Sequence, residues 1–149
     1  MKESAYQELT GQTAGIVERT SKGRAMILCL DSSGSMSGTP FRALQEGAIM
    51  IGKTIYETKD FEHLIICFYD SKVEAYEEKT FVNYEQKIKA KHAGGSTNFV
   101  ACFTYIKQFV NQNKTEDLSV IFFTDGCDTC NNVAAIDTSL SNLKEHLKK

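Results

Sequence analysis

The sequence predicts an α/β domain: a doubly wound, mostly parallel sheet with helices on both faces. Three short, nearly continuous apolar runs, "AMILCL", "LIICFY" and "LSVIFF", lead into Asp31, Asp70 and Asp125. Strands buried on both faces read this way, because no side faces water and none needs polar residues. Between the runs lie patterns of helical period. Leu44, Gly47, Ala48, Ile51 and Ile55 fall on one face, as do Phe99, Cys102, Phe103, Ile106 and Val110. Strand and helix therefore alternate, the rhythm of a parallel sheet with crossover helices.

The elements follow in order. Residues 1–23 are mostly polar apart from Ile16 and Val17, and read as an arm, a linker or an extra edge element. The domain proper then runs over 24–149. After the first strand, Pro40 suits the first turn of a helix, with Thr39 as its cap. "KVEAYE" alternates like an edge strand, antiparallel to "LIICFY" across a turn at Asp70 and Ser71. "FVNYEQKI" predicts a short helix with Phe81, Tyr84 and Ile88 inward, and the second long helix begins near Asn98. Ile136, Leu140, Leu143 and Leu147 predict a closing helix.

Composition narrows the function. A chain of 149 residues with 42% hydrophobic content supports one core. A net charge of -2 and a pI near 5.9 give no footprint for nucleic acid, and no apolar run reaches the roughly 18 residues of a membrane span. The opening "MKESAYQELTGQ" lacks the apolar centre of a secretory signal, so a cytoplasmic location is expected. The cysteines number five, an odd count. Cys29 and Cys67 lie in apolar strands and Cys102 on an apolar helix face, as small hydrophobes in a reducing compartment. "KIKAKH" reads as the wet face of an amphipathic segment.

In an open parallel sheet, ligands gather outside the carboxyl ends of the strands. Asp31 and Asp125 fall there, and "HAGGSTN" leads into a helix from the same edge, so Asp31, Ser33, Ser35, Thr97 and Asp125 are expected to converge. A phosphate site fails on sign, since "DSSGSMSGTP" has no lysine or arginine and two carboxylates would repel an anion. A phosphoryl-accepting aspartate would want a second carboxylate where Ser33 stands. A serine nucleophile needs a base, and of His63, His92 and His146 only His92 precedes a loop at this edge; no G-x-S-x-G elbow is present. Two carboxylates and three hydroxyls are all hard oxygen donors, suited to Mg²⁺, with Mn²⁺ or Ca²⁺ as alternatives, and poorly suited to zinc. Serine, glycine and aspartate are also ordinary turn residues, and any one loop alone would read as a turn; three in order at one edge argue for a ligand. Cys127 and Cys130 form a C-x-x-C pair without a thioredoxin context and with only His92 as a third zinc ligand. They read as loop cysteines, with a reversible disulfide as the alternative.

Asp31-Ser32-Ser33-Gly34-Ser35, followed by Thr97 in "GGSTN" and Asp125 in "TDG", resembles the metal-ion-dependent adhesion site of von Willebrand factor type A domains. The likeness covers the chain from about Arg24 onward. It implies a Rossmann-like fold and a divalent ion whose shell is completed by an acidic residue of a partner protein. Ser33, Ser35 and Thr97 would be hydroxyl ligands, with Asp31 and Asp125 acting directly or through water. Family members continue with two more strand-helix units, so this chain is expected to lack the last ones. "LSVIFF" would then be an exposed edge open to pairing with another strand. The expectation is a non-enzymatic, metal-dependent interaction module that takes a partner's Glu or Asp and binds neither nucleic acid nor membrane. The rivals are a metal-independent scaffold domain of a larger assembly, as in chelatase or ubiquitin-pathway proteins, and a Mg-dependent phosphohydrolase.

Overall fold

The first apolar run forms β1 (Arg24–Asp31), an interior strand of a four-stranded sheet. A computed structural model describes residues 22–148, so the polar arm expected over 1–23 lies almost wholly outside the described residues. β1 pairs in parallel with β2 (His63–Tyr69) and with β4 (Asp117–Phe123), while β3 (Val73–Glu77) pairs antiparallel with β2. The order is β3-β2-β1-β4. Asp31 stands opposite Tyr69 and Leu30 opposite Phe123, so the carboxyl ends of the three parallel strands share one edge.

Alternation along the strands separates two apolar layers. Leu28, Leu30, Ile66 and Phe68 pack under α1 (Thr39–Thr58) and α2 (Phe81–Ala90). Ala25, Ile27, Cys29, Ile65, Cys67 and Tyr69 pack under α3 (Phe99–Gln112) and, through Leu143, α4 (Val133–Leu147). The sheet is therefore covered on both faces, as the apolar runs require. Tyr84 and Ile88 are buried as expected, with Phe81 half-buried beside them.

Two local expectations are corrected. Thr39 is not the cap of α1 but its first residue; the cap position belongs to Gly38, whose φ of 85° turns the chain in a way few side-chain-bearing residues tolerate. Leu147 is not inward: it is 42% exposed, because α4 rests on α3 rather than on the sheet and Leu143 is its buried contact. α3 begins where expected, and Asn98 is its cap, its side chain accepting from the Ala101 N–H at 3.0 Å.

One close approach governs the first layer. Tyr84 is fully buried and donates its hydroxyl to the Ala48 carbonyl at 2.5 Å. Its ring lies over Gly52 so closely that a Cβ there would sit 2.1 Å from the ring Cε1.

β4 is an edge strand with no second neighbour among the described residues, as anticipated for "LSVIFF". Its residues are half-buried or exposed, and Val120 is 38% exposed.

Candidate metal centre

Asp31 closes β1 and is fully buried. Its two carboxylate oxygens meet different loops: Oδ1 accepts from the Ser33 N–H at 3.0 Å, and Oδ2 accepts from the Thr124 hydroxyl at 2.9 Å. Among the described residues no lysine, arginine or histidine forms an ion pair with Asp31. A buried carboxylate without a cation is costly unless its charge is met in some other way.

The loop after β1 presents its hydroxyls in a row. Ser33 Oγ and Ser35 Oγ are 3.1 Å apart, Ser33 buried and Ser35 exposed. This loop is sewn to the one before α3 by a reciprocal pair of backbone bonds, Gly34 N–H to the Gly95 carbonyl and Gly94 N–H to the Ser32 carbonyl, both 2.8 Å. The approach is close: a Cβ on Gly34 would lie 3.3 Å from the Gly95 oxygen, a tight contact, and Gly95 has a φ of 80°, which favours glycine.

That second loop carries Thr97, which is 2% exposed. It is bound in turn to the loop after β4. The Thr97 N–H donates to Thr129 Oγ1 at 2.8 Å, and the Thr97 carbonyl accepts from the N–H groups of Thr129 and Cys130 at 2.9 and 3.2 Å. Of the five residues singled out in the sequence, Asp31, Ser33 and Ser35 are joined directly by hydrogen bonds along one loop, and Thr97 stands two residues past Gly95 on the loop bonded to it. Asp125 is exposed and follows Thr124, the residue that reaches Asp31.

Thr124 escaped the sequence reading although it stands one place before Asp125 in "TDG". Its oxygen also accepts from the Gly126 N–H at 3.0 Å, which fixes the hydroxyl proton toward Asp31. Below it, Tyr69 donates its hydroxyl to the Phe123 carbonyl at 2.9 Å and stacks on Phe122 at 5.1 Å, holding the end of β4 in place. Burial pushes the Tyr69 hydroxyl well above the usual phenol range, so it stays a donor. Thr124→Val keeps the shape and deletes the donor. It should lower stability to urea by about 1–3 kcal/mol, the cost of leaving a buried carboxylate oxygen unmet.

Asp128 is the second residue missed. Oδ1 accepts from the Cys130 and Asn131 N–H groups, both at 2.7 Å, and Oδ2 accepts at 2.7 Å from the Phe99 N–H in the first turn of α3. Partial burial works against its charge, but the Phe99, Asn131 and Cys130 donors outweigh it and hold the carboxyl below its ordinary 3.8. A carboxyl lowered in the folded state stabilises fully above its unfolded value, and the contribution fades as pH falls through the folded one. Denaturant titrations between pH 6 and pH 2 should therefore show a steeper acid loss in wild type than in Asp128→Asn.

Cys127 and Cys130 are exposed and unbridged. Cys130 contributes through its backbone N–H and through an S–H bond to Ser96 Oγ at 3.4 Å. His92 lies exposed in the loop before α3; His63 stands at the amino end of β2, paired with Glu77 at 2.7 Å, far from this edge in sheet register.

The architecture was compared with known proteins. No family model and no curated protein matches the sequence. Among solved structures, the chain is similar to a von Willebrand factor type A protein from Catenulispora acidiphila, with a TM-score of 0.70 at 15% identity, over 79% of this chain and 30% of that one. The fold is of the von Willebrand type A kind. The von Willebrand domain of the type V pili tip protein Mfa5 from Porphyromonas gingivalis matches with a TM-score of 0.57 at 19% identity, over 74% of this chain and 42% of that one. Proximal thread matrix protein 1 from the mussel byssus matches with a TM-score of 0.64 at 14% identity, over 82% of this chain and 35% of that one. This von Willebrand type A-like chain thus spans less than half the length of each. No helix among its described residues is long and apolar enough to cross a membrane.

Proposed function

We propose that the chain is a protein-interaction module that grips an acidic side chain of a partner through a divalent cation at the carboxyl edge of its sheet. The observation that carries the reading is Asp31: a fully buried carboxylate with no basic partner among the described residues, set beside the paired hydroxyls of Ser33 and Ser35. The donors fit a hard cation, since every one is oxygen. Ser33, Ser35 and Thr97 would supply hydroxyls, and Asp31 and Asp125 would act directly or through water. Both Asp31 oxygens already accept hydrogen bonds, which favours contact through water for that residue. Mg²⁺ is the preferred ion, with Mn²⁺ or Ca²⁺ as substitutes. Bound there, the ion would supply an electropositive position open to a carboxylate from outside. Among the described residues no histidine or lysine is hydrogen-bonded to Asp31 or Ser33, and the reading put forward is one of binding.

A metal-independent scaffold is the second reading. It is favoured by one observation: among the described residues every buried side-chain oxygen and nitrogen has a hydrogen-bond partner, so the loops keep their shape through protein bonds alone. Capture of partners from lysate, with Mg²⁺ in one arm and a chelator in the other, separates the two. Partners retained only with Mg²⁺, and released by free glutamate at high concentration, support the first reading. Partners held equally under chelation overturn it in favour of the second.

A further inference from the structure

Away from the sheet edge, Cys29, Cys67 and Cys102 bring three sulfurs together in the core. All three residues are 0% exposed, and their Sγ atoms lie within 4.8 Å of one another. Cys29 of β1 and Cys67 of β2 are register partners on neighbouring strands, facing the layer that α3 covers. Cys102 comes down from α3 to place its sulfur 4.0 Å from that of Cys67, and the Cys29 sulfur lies within 4.8 Å of both. The cysteines are free, and the surrounding side chains, among them Ile27, Ile65 and Ile106, are apolar.

We propose that these three cysteines form a thiol-only site for a soft, three-coordinate thiophilic ion, either cuprous copper or trivalent arsenic. Three sulfurs each about 2.3 Å from a central ion in their plane stand about 4.0 Å apart, so the cluster needs little movement to close on one. Thiolates select soft ions. Zinc and iron-sulfur clusters want about four ligands, and among the described residues no histidine, aspartate or glutamate joins the three sulfurs.

Spacing and charge choose differently within that class. The 4.0 Å separation of Cys67 and Cys102, with the third sulfur within 4.8 Å, is near that of planar cuprous copper, which leaves net negative charge in an apolar core, a costly arrangement. Trivalent arsenic draws the sulfurs closer but leaves none. Arsenous acid, As(OH)₃, reacts with three thiols by breaking three As–O bonds and forming three As–S bonds. Each thiol proton leaves on a hydroxide as water, and arsenic keeps its oxidation state. The product is neutral.

The test uses Cys127→Ser/Cys130→Ser protein, which removes the exposed thiols and leaves the core three. Because the sulfurs are sealed, the protein is refolded with arsenite in one arm and with cuprous ion from an anaerobic chelator complex in the other. Native mass spectrometry should show one ion per chain in at least one arm, with a raised melting temperature, since a ligand held by the folded state stabilises it. X-ray absorption should show a shell of three sulfurs and no nitrogen or oxygen. Cys102→Ala in the same background, confirmed folded by circular dichroism, should weaken binding at least tenfold. The absorption measurement needs no core substitution and stands even where that variant fails to fold. No uptake in either arm, a shell containing oxygen or nitrogen, or uptake unchanged in folded Cys102→Ala overturns the proposal.

Discussion

Asp31→Ala is expected to abolish the rise in melting temperature that Mg²⁺, on the proposed reading, gives the wild-type protein. A ligand bound only by the folded state adds RT ln(1 + [L]/Kd), about 2.7 kcal/mol at a hundredfold excess over Kd, enough to move the midpoint of a domain this size by several degrees. The comparison is made within each protein, with and without Mg²⁺, because the substitution also changes metal-free stability: it removes a buried charge and strands the Ser33 N–H and the Thr124 hydroxyl. Asp31→Asn keeps the shape and one acceptor but removes the charge and turns the other oxygen into an NH₂ donor toward Thr124, and it should lose the magnesium response as well. Ser33→Ala should behave likewise. Equal magnesium shifts in wild type and all three variants would show that no ion is held here.

Gly52→Ala should destabilise the fold by about 2 kcal/mol or more, against the usual rule for helices. In an exposed helix interior the change gains close to 1 kcal/mol. Here the added methyl would lie 2.1 Å from Tyr84 Cε1 and 2.4 Å from Cζ, well inside contact distance. The ring cannot swing away cheaply. It is fully buried, tethered to the Ala48 carbonyl, and packed edge-on against Tyr56 at 5.5 Å. Overpacking of this kind typically costs about 1–3 kcal/mol and exceeds the propensity gain. Urea titration measures the loss, and pairing the change with Tyr84→Leu should recover part of it, because the two positions share one volume. A wild-type midpoint in Gly52→Ala would mean that the ring yields.

The sheet could be read from the sequence because burial on both faces leaves an unbroken apolar run, a signal local to six residues. The same holds for Asn98, whose capping bond spans three positions. The cap of α1 was misread for an equally local reason: Thr39 has the right chemistry, but the turn needs a positive φ one place earlier, at Gly38. Thr124 and Asp128 were missed because their partners, Asp31 and Phe99, lie 93 and 29 residues away, and nothing in "TDGCDTC" names them. The meeting of Cys29, Cys67 and Cys102 is invisible for the same reason. Each reads alone as a small apolar residue, and only strand register and the seating of α3 bring them together. Asp31, Ser33, Ser35 and Asp125 could be proposed together because their loops leave the same ends of the parallel strands β1 and β4, whereas Thr97 stands on a loop between α2 and α3 that backbone bonds tie to both.

The outer margin of β4 has a bearing on the tempo of the whole molecule. Its outward amides have no strand to shield them among the described residues, so exchange with heavy water should be early there, as at the opposite edge strand β3, while β1, gripped from both sides, holds its protons longest. Thr124 directly follows the edge strand β4. Each brief fraying of β4 slackens the hydroxyl that steadies Asp31, and anything laid along that margin would quieten the carboxylate from a distance.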